Sequence, residues 1–98
     1  MLVQVRTYKI KPGDMEDFVA LWRDHIVPAR RAHGFEVLGA YNDADDGTFV
    51  WVVGHAAPDG WMTAEKAYYD SPERQALPRN PSDMMESAHT QILRPVAV

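Results

Sequence analysis

The sequence predicts an α+β domain, one four-stranded antiparallel sheet with two helices on one face, in the order βαββαβ. Three observations lead there. The chain has 98 residues, 46% hydrophobic and 24% charged, which suffices for one core and leaves nothing for a second. Two stretches of helical period each lie between strand-like segments. An acidic pentapeptide, Asp43-Ala44-Asp45-Asp46-Gly47, separates two runs rich in β-branched and aromatic residues, as a hairpin turn does. That order is the ferredoxin-like, split βαβ arrangement, and it assigns residues 1–98 to a single domain.

Each element has a local cause. Residues 2–10, LVQVRTYKI, alternate Leu2, Gln4, Arg6, Tyr8, Ile10 against Val3, Val5, Thr7, Lys9 and read as a strand. Lys11-Pro12-Gly13 turns the chain, and Asp14 stands where a helix cap belongs, with Glu16 and Asp17 in the first turn. Apolar residues at 15, 18, 22, 26 and 29 then form a helical stripe, with Glu16, Asp17, Arg23, Asp24, Arg30 and Arg31 on the wet side. Pro28 removes the hydrogen bond to the Asp24 carbonyl, so a kink or short break is expected near Ile26, and Gly34 stops the helix. Residues 35–42 and 48–55 form the hairpin. The continuous run Trp51-Val52-Val53 suits a strand buried on both faces. Trp61, Ala64, Tyr68 and, less regularly, Met62 and Glu65 keep helical spacing, followed by a hitch at Ser71-Pro72, where Ser71 caps and Pro72 takes the first helical position. Pro78 to Asp83 reads as a loop and residues 88–93 as the last strand, ended by Pro95.

Composition removes several function classes. With no cysteine, disulfides, thiolate metal sites, iron–sulfur clusters and a cysteine nucleophile are excluded, and the expected compartment is the cytoplasm. No apolar run reaches the ~20 residues a bilayer requires, and the N-terminus opens on an alternating pattern instead of a signal peptide. A net charge of −4 repels phosphate backbones and disfavours nucleic acid. Phosphate loops, nucleophile elbows and paired-carboxylate motifs are missing, which disfavours phosphoryl transfer and serine hydrolysis.

The predicted sheet has one face without helices. Its apolar side chains would extend over several hundred Å², more than a monomer usually exposes, so a second copy is expected to cover them in a symmetric homodimer.

Val5-Arg6-Thr7-Tyr8 with Lys11-Pro12-Gly13, a helix closing on His25-Ile26-Val27-Pro28 and His33-Gly34, Asp70-Ser71-Pro72-Glu73, and Ile92-Leu93-Arg94-Pro95 together resemble the NIPSNAP family. That family lies within the dimeric α+β barrels. The resemblance spans essentially the whole chain, and its most distinctive part is the Arg-Thr-Tyr and Lys-Pro-Gly opening. It implies two sheets packed face to face across a dimer axis, with a pocket in each subunit between its sheet and its helices. The larger group includes cofactor-independent monooxygenases, haem-degrading enzymes and isomerases, so the fold by itself selects no reaction.

Candidate residues follow from side-chain chemistry. Histidines 25, 33, 55 and 89 have no metal-ligand spacing, so no metal is expected. His33 suits the helix end. His25, His55 and His89, together with Tyr8, are the candidate proton-transfer groups, since imidazole both takes and gives a proton near neutrality. Arg6, Trp22, Tyr41, Trp51, Trp61 and Tyr68 are the candidate ligand-binding residues, aromatic walls with a few polar handles, although most aromatics in a small domain serve as core. Of Tyr68 and Tyr69, adjacent on a helix, only one should face inward. A buried Arg6 needs a carboxylate such as Glu36 or a ligand anion, or else an ion pair in the dimer interface. Asp43, Asp45 and Asp46 read as a solvated turn, lacking the glycine and distal glutamate of a calcium loop.

The expected function is thus a homodimer whose apolar, aromatic-lined pocket takes a small hydrophobic or aromatic molecule. Any chemistry would be cofactor-independent: acid–base, oxygenase-, isomerase- or cyclase-like. The alternative is a non-enzymatic ligand-binding or protein-interaction module. A haem-handling role, with a histidine as axial ligand, is a further alternative.

Overall fold

A computed structural model describes residues Met1–Val98. β1 (Leu2–Ile10) leads into α1 (Met15–Leu21), which runs through a π turn (Trp22–Ile26) into α2 (Val27–Ala32). The hairpin β2 (Glu36–Asp43) and β3 (Thr48–His55) follows. Next come α3 (Trp61–Tyr69), a single turn α4 (Pro72–Gln75), a 3-10 turn (Pro81–Met84) and β4 (Met85–Leu93). The sheet is antiparallel in the order β2-β3-β1-β4, the ferredoxin-like arrangement, with β1 and β3 central as their apolar content requires.

The break expected before Pro28 takes a definite form. The Val27 N–H bonds the Trp22 carbonyl five residues back, so one extra residue is accommodated ahead of the proline and the helix continues. Asp14 occupies the cap position but its side chain bonds no backbone N–H, whereas Ser71 does cap α4, accepting from the Arg74 N–H. The first helix is held at its start by the Phe18 N–H to Asp14 carbonyl bond instead. Residues 81–83, expected as loop, form with Met84 the 3-10 turn because Asn80 caps it through the Ser82 N–H. Gly47 is required in the hairpin: its φ is +80°, and a Cβ there would lie 2.8 Å from the Ile10 carbonyl oxygen. The acidic turn is exposed, and its carboxylates bond its own backbone, Asp43 the Asp45 N–H and Asp46 the Thr48 N–H.

Strand alternation sorts the sheet into two faces. Gln4, Tyr8, Ile10, Phe49, Trp51 and Val53 are buried against the helices with Phe18, Leu21, Ile26, Ala29, Phe35, Trp61 and Tyr68. On the other face Val3, Val5, Val50 and Val52 lie half-buried, in the register Val5 opposite Val52 and Thr7 opposite Val50. No helix covers them. Leu38, 52% exposed beside a β-bulge, and Leu93, 41% exposed, border this uncovered surface.

Candidate functional site

Period-2 alternation along β1 sends Gln4, Arg6 and Tyr8 to the helix side of the sheet, and β3 sends Trp51 to the same side, directly opposite Arg6. These groups meet in a chain of hydrogen bonds. The Arg6 Nε–H donates to the Tyr8 hydroxyl at 2.6 Å and the Trp51 indole N–H donates to the same oxygen at 2.9 Å. Arg6 also donates to Gln4 Oε1 at 2.6 Å, to the Tyr69 hydroxyl at 3.2 Å and to Glu65 Oε2 at 3.4 Å. Burial works against the Arg6 charge, but Tyr8, Tyr69 and Glu65 outweigh it and hold its pKa above the ordinary arginine value. Arg6 is therefore always a cation.

Glu65 joins a second guanidinium to this network. Its other oxygen accepts from Arg30, whose residue is only 1% exposed. The Arg30 guanidinium lies 4.0 Å from the Tyr68 ring centroid and 4.7 Å from that of Phe35, so aromatic faces supply part of the solvation that burial removes. Its Nε–H is buried with no acceptor. The Tyr68 hydroxyl is pushed above its ordinary pKa by burial, which exceeds the opposing pull of Arg30 and Arg74.

A cavity of about 370 Å³ opens beside these groups, within the size range of small-molecule sites. Arg6, Tyr8, Arg30, Trp51, Tyr68 and Tyr69 form its floor and one wall. Arg74, the Asn80–Ser82 segment, Met85, Ala88 and Ile26 complete it. The Tyr8 oxygen already accepts two N–H groups, which occupies both of its lone pairs, so its own proton is left to donate.

The family model for NIPSNAP matches residues 3–98. The chain belongs to the NIPSNAP family. Solved structures share the fold at low identity. An uncharacterised NIPSNAP domain protein from Burkholderia xenovorans superposes with a TM-score of 0.83 at 19% identity, over 99% of this chain and 96% of that one. A NIPSNAP family protein from Agrobacterium tumefaciens gives 0.82 at 22% identity, over 97% and 92%. A putative antibiotic biosynthesis monooxygenase from Nitrosomonas europaea gives 0.73 at 19% identity, over 99% and 100%. No curated protein matches the sequence.

In this NIPSNAP domain the cavity gathers Tyr8, Arg6, Trp51 and Tyr68 from among the residues singled out in the sequence, and leaves the others outside. His55 is a structural group: its Nε2–H donates to the His33 carbonyl at 3.0 Å and its Nδ1 accepts the Ala57 N–H at 2.8 Å. Both nitrogens are engaged, and the ring packs on Phe35 at 4.5 Å. His89 pairs with Thr7 on the face opposite the cavity, and Tyr41, 69% exposed, pairs with Val50 on that same face. His25 is exposed on the π turn and borders a shallow depression with Asp24 and Arg79. Trp61 is core, edge-on to Phe35, and Trp22 packs edge-on to Phe49 and Trp51 beneath the cavity floor. The haem alternative requires an imidazole on the cavity wall. None is there, so the residues do not fit an axially histidine-ligated haem.

Two electrostatic expectations are also corrected. Arg6 pairs with Glu65 on the helix side, neither with Glu36, which is exposed at the far end of β2, nor across the uncovered sheet face. Arg30, expected on the wet side of its helix, points inward because the extra residue of the π turn advances everything after it by one residue, about 100° of phase. Tyr68 and Tyr69 both reach the cavity, Tyr68 from within and Tyr69 by its hydroxyl on Arg6. The sequence carried one sign of the missed cations. Glu65 falls in an apolar stripe with Trp61 and Tyr68, and a carboxylate there needs a buried partner. No helix is long and apolar enough to cross a membrane, and no group of His, Asp or Glu side chains has the arrangement of a metal site.

Proposed function

We propose that this NIPSNAP protein is a homodimer whose cavity binds a small, largely aromatic molecule, and that Tyr8 performs cofactor-independent acid–base chemistry on it. The observation that carries the reading is the Tyr8 hydroxyl, which accepts from Arg6 and Trp51 and faces the cavity with a free proton. A phenol polarised in this way donates to an oxygen on which negative charge develops, and the fixed Arg6 cation behind it stabilises that charge without reorganising. Trp51, Tyr68 and Tyr69 offer flat faces on which a ring stacks. For a substrate that enters as its enolate or phenolate no base is required on the wall, where neither a carboxylate nor an imidazole stands: the Tyr8 proton passes to the reacting atom in isomerisation or cyclisation and is replaced from solvent. A monooxygenase-type reaction would use the same stabilised carbanion, with the substrate itself as the reductant of dioxygen. It is supported only by the fold shared with proteins of that description.

The dimer is argued from the uncovered sheet face. Val3, Val5, Val50 and Val52, bordered by Leu38, Tyr41 and Leu93, form an apolar surface that a second copy would bury across a two-fold axis. Sedimentation equilibrium at micromolar concentration should give twice the 11.1 kDa chain mass, and Val52→Glu should return it to a monomer. A wild-type monomer refutes the dimer.

The binding reading is tested by thermal shift with a panel of aromatic and polyketide-like compounds, followed by turnover assays on those that bind. Ligands that raise the melting temperature and are converted by the wild type but not by Tyr8→Phe support the enzyme. Binding with no conversion of any ligand favours the non-catalytic module.

A further inference from the structure

We infer that the ligand of this cavity is a flat organic anion, a carboxylate, enolate or phenolate conjugated to a ring, held by Arg6, Arg30 and Arg74. The inference rests on the cavity being a small-molecule site, and it specifies the charge of what enters. A chain of net charge −4 has no general surplus of cations to distribute, yet three of its arginines and none of its carboxylates line this cavity. Glu65 is the only acid in contact with the cluster. It is not on the cavity wall, and it is shared between Arg6 and Arg30. One carboxylate behind two guanidiniums leaves a positive charge on the cavity side, and Arg74 adds another.

The hydrogen-bond inventory agrees. Arg6 spends four of its five N–H groups on Tyr8, Gln4, Glu65 and Tyr69 and keeps one. Arg30 finds only Glu65, and its Nε–H has no acceptor although the residue is almost fully buried. Buried guanidinium donors are ordinarily satisfied; the unanswered one on Arg30 marks a shortage of acceptors around this cluster, and planar guanidiniums on a cavity wall match an oxyanion. Arg74 makes no ion pair and lies 5.1 Å from the Tyr69 ring centroid at the cavity edge. The remaining wall is aromatic, formed by Trp51, Tyr8, Tyr68 and Tyr69. An apolar molecule would leave the cations unanswered, and a compact inorganic anion would leave the rings unused. A conjugated organic anion meets both.

The test compares matched probes by isothermal titration calorimetry on the full-length protein: 2-naphthoate, its uncharged methyl ester and 2-naphthol. The acid is expected to bind at least ten-fold more tightly than the ester. Arg74→Gln, at the cavity edge, should lower that ratio several-fold while circular dichroism and melting stay at wild-type values. Arg30→Gln should lower it further, and if that variant does not fold, Arg74→Gln decides alone. An ester that binds as well as the acid overturns the anion assignment and leaves the cavity as a neutral-ligand site. An acid-to-ester ratio unchanged in the folded variants overturns it equally. If none of the three binds, the small-molecule reading itself falls, and the anion with it.

Discussion

The guanidinium Nε of Arg6 and the hydroxyl of Tyr8, two positions apart on one strand, are joined by a 2.6 Å hydrogen bond in which the tyrosine accepts. Because Trp51 donates to the same oxygen, Tyr8→Phe leaves two N–H groups without an acceptor. The variant should lose about 1–3 kcal/mol of stability, the cost of unsatisfied buried donors, measured by urea unfolding. Ligand affinity should change only a few-fold, since the ring remains. Any turnover should disappear, because the ring without its hydroxyl has no proton to give.

Glu65→Gln removes the only carboxylate that balances Arg6 and Arg30. Breaking a buried pair on one side costs about 3–5 kcal/mol, and a loss toward the upper end is expected because two cations lose their partner together. Excess anionic ligand should restore part of it. Equilibrium unfolding with and without 2-naphthoate reads both effects.

The histidines make a contrasting set. His55→Ala strands the His33 carbonyl and the Ala57 N–H and should destabilise by about 1–3 kcal/mol while ligand affinity per folded molecule holds. His25→Ala, at an exposed position away from the cavity, should stay within ±0.5 kcal/mol of wild type, and His89→Ala, on the sheet face that a second copy would bury, should leave turnover unchanged. A turnover defect in either would reopen the assignment of proton transfer to Tyr8.

His33 and Glu73 join the end of the first helix to α4, His33 Nε2 lying 3.0 Å from a Glu73 carboxylate oxygen. The hydrogen bond from His33 holds the Glu73 carboxyl below its ordinary 4.5. A depressed carboxyl pKa contributes stability that is present in full above the unfolded value and vanishes as the pH falls through the lower folded one. The melting temperature of wild type should thus exceed that of Glu73→Gln slightly at neutral pH, and the two should converge below 4.5. Because the pair is exposed, added salt should shrink the difference.

How far the sequence could be read depends on how local each cause is. The period-2 pattern of residues 2–10, the acidic turn ending in Gly47, the break ahead of Pro28 and the Ser71-Pro72 helix start were all visible within a few residues, and each appears where expected. Tyr8 could be named as a site candidate because strand alternation puts it on one face with Arg6, and Trp51 because an indole in an apolar strand suits a cavity wall. Arg30 could not, because the π turn changes the phase of a helix in a way that a uniform 3.6-residue period misses.

By itself, the sequence determined the order of elements, the family and the existence of a sheet face without helices, because propensity, turn chemistry and alternation act between neighbours in the chain. Only the tertiary structure decided that Glu65 lies between Arg6 and Arg30, residues 59 and 35 positions away, that His55 is a brace, and that His89 and Tyr41 face away from the cavity. Those outcomes depend on strand register and on the rotation of each helix about its axis. Both are set by long-range packing of Trp51, Phe35 and Tyr68, which no local window of residues contains.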